Sequence, residues 1–120
     1  MSKTRIIISW VLVVLLAHAF LASAAIKLTG IANPMFVHWG YSPWFAKLIG
    51  AFELTGAIGL LIPRTTRVAI LGLTIIMFGA AYTHLANHEG IQVLRPLIFL
   101  MALWLVSWLR AMPGKRVAAL

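Results

Sequence analysis

Cysteine is absent from the 120 residues. That excludes disulfides, iron–sulfur clusters and thiol redox chemistry, and it leaves the compartment open. Acids are nearly absent as well: two Asp+Glu stand against ten Lys+Arg, a formal charge of +8. Charged residues make up 10% of the chain, against about 25% in an ordinary soluble domain. A soluble enzyme is thereby disfavoured, because a small domain leaves much of its surface in water and must cover it with polar groups. No hydroxyl nucleophile beside a base, no phosphate loop and no dinucleotide fingerprint is visible, so no catalytic residue is assigned.

What the chain has is apolar side chain: 62% of residues are hydrophobic and the mean hydropathy is +1.01. Four apolar runs divide it, Ile6–Ile26, Trp44–Ile62, Val68–Ala86 and Val93–Met112. Each approaches the ~20 residues that a helix needs to cross a ~30 Å hydrocarbon core. The expected fold is an all-α, integral membrane four-helix transmembrane bundle in a single domain. Gly30, Asn33, Pro34, Gly40 and Pro43 mark the first connection, Pro63–Arg67 the second and Asn87–Gln92 the third. Pro113 and Gly114 end the last helix. Short links imply antiparallel neighbours. The first run has one alternative reading: Lys3 and Arg5, an apolar stretch and Ala22-Ser23-Ala24 have the shape of a signal peptide cleaved after residue 24. Its length and the embedded His18 favour a retained helix.

The basic residues sit at the ends of apolar runs rather than on a polar face. The expected partner is therefore the lipid bilayer and not nucleic acid. Lys3, Arg5, Arg64, Arg67, Arg110, Lys115 and Arg116 fall on one side; Lys27, Lys47 and Arg95 fall on the other. Seven against three places both termini in the cytoplasm of a cell whose cytoplasmic (inner) membrane the chain spans. Trp39, Tyr41 and Trp44 lie near the outer boundary and Trp10 and Trp108 near the inner one, as an aromatic belt does.

Ionisable groups inside a membrane are costly and face the bundle interior. Glu53 lies ~14 Å deep in the second run. Ile49, Gly50, Gly56, Ala57 and Leu60 share its helical face, mostly small residues of the kind that let helices approach. His18, at a similar height on the first helix, is a candidate partner for Glu53. Lys27 and His18 are about nine residues apart and point to opposite sides at ~100° per residue, so both do not readily reach the same acid. Lys27 and His84 are expected to line an outward-facing pocket with Glu53 at its floor. Each also has a plainer reading: a helix-pinning pair for Glu53, and interfacial anchors for the cations. Haem between His18 and His84 is disfavoured, because their heights differ by about one helical turn. His84-x-x-x-His88-Glu89 has a spacing that Zn²⁺ tolerates, but no metal site is assigned.

Several stretches taken together resemble the DoxX-like family of small membrane proteins: Ala24-Ala25-Ile26-Lys27-Leu28, Gly50-Ala51-Phe52-Glu53-Leu54-Thr55-Gly56-Ala57, Leu60-Leu61-Ile62-Pro63-Arg64, Ala80-Ala81-Tyr82-Thr83-His84 and Arg95-Pro96. The resemblance covers essentially the whole chain. It implies a four-helix bundle in the cytoplasmic membrane and carries over Lys27, Glu53 and His84. The wider family includes a subunit linked to thiosulfate oxidation by quinone, and accessory proteins for oxidases or for assembly of partners. The cysteines of some redox-linked relatives are absent here, which argues against direct thiol chemistry. The resulting expectation is a quinone-linked or accessory component, with quinone as the candidate cofactor and a partner membrane protein or a second copy beside it. Two other readings stand: a small proton-coupled exporter using Glu53, and a membrane scaffold.

Overall fold

The computed structural model describes residues 2–111. The end of the fourth run at Met112, its Pro113-Gly114 stop, and Lys115 and Arg116 lie outside the described residues. Among those described, the elements are α1 (Lys3–Leu28), α2 (Asn33–His38), α3 (Pro43–Leu61), α4 (Thr66–Ala86), a 3₁₀ turn (Gly90–Val93) and α5 (Leu94–Ala111). Four helices are long and apolar enough to cross a membrane: α1, α3, α4, and α5 together with its leading 3₁₀ turn.

Local chemistry sets the ends. Ser2 caps α1 by accepting from the Arg5 N–H at 3.1 Å. Ser42 caps α3 with Pro43 in its first turn, where a missing N–H is harmless. The Thr29–Pro43 connection contains a short helix, α2, which the turn formers did not announce. Pro34 sits in its first turn, and Gly30 and Gly40, at φ 91° and 92°, bracket it in the left-handed region that glycine tolerates.

α1 packs on α3, α3 on α4, α4 on α5, and α5 back on α1. The ring is closed and each sequence neighbour is antiparallel. Its core is Val13, Leu16 and Phe20 of α1, Ala57 and Leu60 of α3, Ile70, Leu73 and Met77 of α4, and Leu100, Leu103 and Val106 of α5. The outer faces are equally apolar: Leu15, Ile75, Phe78 and Met101 are all exposed. Such a surface suits lipid, and between helices in lipid the drive is close packing rather than expulsion of water. The long axis of 46 Å matches a bilayer of about 40–45 Å including headgroups. A second cluster caps the far end, opposite the chain's beginning: Ala32, Phe36 and Ala46 with Trp39, Tyr41, Phe45 and Ile49.

Candidate functional site

Two polar centres occupy the half of the bundle away from the N-terminus. The first joins α1 to α3. Ser23 and Lys27 are one turn apart and so share a helical face. Lys27 Nζ lies 3.0 Å from Glu53 Oε1 and donates to Ser23 Oγ at 2.6 Å; Ser23 Oγ donates in turn to the same Glu53 oxygen at 3.0 Å. Gly50 makes this possible. A Cβ there would stand 2.9 Å from Lys27 Cβ and 3.2 Å from the Ala24 carbonyl oxygen, so only glycine lets α1 lie this close. Glu53 is 2% exposed. A buried carboxylate without a cation would be expensive, and this pairing, completed by a third hydrogen-bonding group, offsets the cost.

His18 does not join this centre. It is exposed on the outer side of α1, opposite Lys27 by the turn arithmetic above. Lys27 takes the place at Glu53 that His18 was a candidate for.

The second centre joins the end of α4 to the α2 connection, and it corrects the expected single pocket. His84, in the last turn of α4, meets Glu89 rather than Glu53: Nδ1 is 2.7 Å from Glu89 Oε1. The chain turns sharply after α4 through His88 at φ 60°, and the Glu89 N–H bonds the His84 carbonyl at 2.8 Å. Trp39 Nε1 donates to both Glu89 oxygens, at 3.1 and 3.2 Å, and its ring stands edge-on to His84 with centroids 5.3 Å apart. Tyr41 OH and Thr83 Oγ1 are 2.8 Å apart beside it. The His84 and Trp39 hydrogen bonds hold the Glu89 carboxyl below the usual glutamate range.

Glu89 and Trp39 were not among the candidate site residues, although Glu89 is one of only two acids in the chain. That scarcity was the available signal. Trp39, read as a membrane anchor, is also a hydrogen-bond donor to the site. Lys47 and Arg95 are exposed and belong to neither centre. Among the described residues, no group of three or more His, Cys, Asp or Glu is placed to hold a metal ion.

The fold and its paired polar centres define a small four-helix integral membrane protein. The sequence pattern of the DoxX-like family matches residues 11–106, and the chain belongs to that family. Comparison with curated proteins and with solved structures gives no match.

Proposed function

We propose that this protein is an accessory component of a quinone-linked assembly in the cytoplasmic membrane, with both termini in the cytoplasm. The observation that carries this reading is the His84–Glu89–Trp39 centre, whose members are partly exposed while Glu53 is closed off. A carboxylate on Nδ1 orients the imidazole and leaves Nε2 for an external group. Nε2 has no hydrogen-bond partner among the described residues. A neutral ring offers Nε2 as acceptor to a quinol hydroxyl; a protonated ring offers an N–H to a quinone carbonyl. The role assigned to the chain is headgroup binding and proton exchange. Electron transfer belongs to a partner membrane protein.

Export through Glu53 is less well supported, since the carboxylate would have to release Lys27 at 3.0 Å and Ser23 together. The test is quinone extracted from protein purified in mild detergent. His84→Ala and Glu89→Gln should lower the bound quinone several-fold at unchanged membrane abundance. Wild-type protein free of quinone, with partner chains still co-purifying, would replace this reading with a scaffold.

A further inference from the structure

The other end of the bundle holds a charge that the described residues leave unanswered. Arg110, in the last turn of α5, is 4% exposed. Nε donates to Ser9 Oγ of α1 and Nη1 to Thr66 Oγ1 of α4, each at 3.3 Å. The guanidinium lies over the Trp10 ring, with Cζ 4.7 Å from its centroid. Nη2 is buried and has no hydrogen-bond partner among the described residues. Ser9 and Thr66 are already committed as donors, to the Ile6 carbonyl and to the Leu60 and Ile62 carbonyls. They therefore receive the arginine's protons and hold its plane, but they bring no negative charge.

Among the described residues, no carboxylate is free to supply one. The chain has two acids; Glu53 is taken by Lys27 and Glu89 by His84 and Trp39. The negative end of α5's dipole offsets part of the cost and leaves Nη2 unbonded. A buried cation in this state calls for an external anion.

Beside Arg110 is a cavity of about 20 Å³, lined by Thr66, Arg67, Ile70, Val106, Ser107 and Pro63. It has room for one water-sized group, such as a single oxygen of an oxyanion. Arg67 is exposed, so a second guanidinium borders the same opening from the headgroup side. Planar, multi-donor guanidinium groups suit phosphate oxygens, and basic pockets between membrane helices are suited to anionic headgroups.

We infer that Arg110, Arg67 and Ser107 form a phosphate-binding site at this end of the bundle, taking the headgroup of an anionic phospholipid. One phosphate oxygen enters the cavity to accept from Arg110 Nη2, and Arg67 neutralises the charge that remains outside.

The test is native mass spectrometry of the full chain in mild detergent, titrated separately with phosphatidylglycerol, phosphatidylcholine and inorganic phosphate. Expected is one retained phosphatidylglycerol, with phosphatidylcholine held at least tenfold more weakly. Arg110→Gln and Arg67→Gln should each weaken phosphatidylglycerol about tenfold, the loss of one charge-assisted bond. If Arg110→Gln does not accumulate, Arg67→Gln and Ser107→Ala decide, since both change the rim of the cavity. Unchanged lipid affinity in these variants overturns the site. Inorganic phosphate binding without lipid retention overturns the lipid source, and retention of neither ligand leaves Nη2 to water and overturns the proposal.

Discussion

Lys27 and Glu53, on different helices and 26 positions apart, meet at 3.0 Å across the groove that Gly50 opens between α1 and α3. The pair means that neither residue is independently replaceable. Removing Lys27 leaves Glu53 buried and uncompensated, a loss of about 3–5 kcal/mol in comparable buried pairs; removing Glu53 leaves Lys27, which is partly exposed, without its partner. Lys27→Met should lower the thermal midpoint in detergent strongly, and Glu53→Leu less so. The double variant should recover most of the loss, because two apolar residues need no partner. Additive losses in that cycle would show that the contact is not the source of either effect.

Gly50→Leu should separate α1 from α3. The new side chain begins 2.9 Å from Lys27 Cβ and 3.1 Å from Leu28 Cγ, so overpacking of about 1–3 kcal/mol is expected. Gly72 has open space where its Cβ would be, and Gly72→Leu serves as the control that leaves stability unchanged. Equal stability of the two variants would deny the close approach.

The Trp39–Glu89 contact should persist from pH 7 to pH 5. Glu89 is held below the usual glutamate range in the folded protein. Its stabilising contribution is therefore present above the unfolded value of about 4.3 and is lost only as pH falls through the lower folded value. The Trp39 indole N–H resonance of labelled protein, compared with Glu89→Gln, reads this directly. A shift toward the Glu89→Gln position between pH 7 and pH 5 would contradict the assignment.

Orientation is testable because the chain has no native cysteine to label. His38 and Arg64 are both exposed, on connections at opposite ends of the bundle. Cysteine at position 38 should react with a membrane-impermeant maleimide in intact cells, and cysteine at position 64 only after permeabilisation. The reverse pattern would invert the topology.

The four spanning helices were legible in the sequence, because a run of about 20 apolar residues has few other uses and the polar backbone inside lipid must bond to itself as helix. The observed ends depart from the expected ones by a few residues: α1 begins at Lys3, where Ser2 caps it, and α4 at Thr66. α2 was not legible. Its six residues are too few for a periodic pattern, and the helix is held by the packing of Phe36 against Ala46 and the aromatic rings around them.

Composition by itself determined that this chain lies in a membrane, and the depth of Glu53 along its run determined that a buried acid would need a partner. Which partner it took was decided in three dimensions. Lys27, His18 and His84 all lay within the plausible range of heights, and pairing depends on how the helices rotate and how closely they approach. Gly50 brings the Lys27 face of α1 onto α3 and turns His18 outward. The turn at His88 folds Glu89 back beneath His84, so that one expected pocket became two separate centres. Arg110 reads in the sequence as one more charge at a helix end; only the packing of α1, α4 and α5 around it buries the guanidinium and leaves one of its nitrogens unbonded among the described residues.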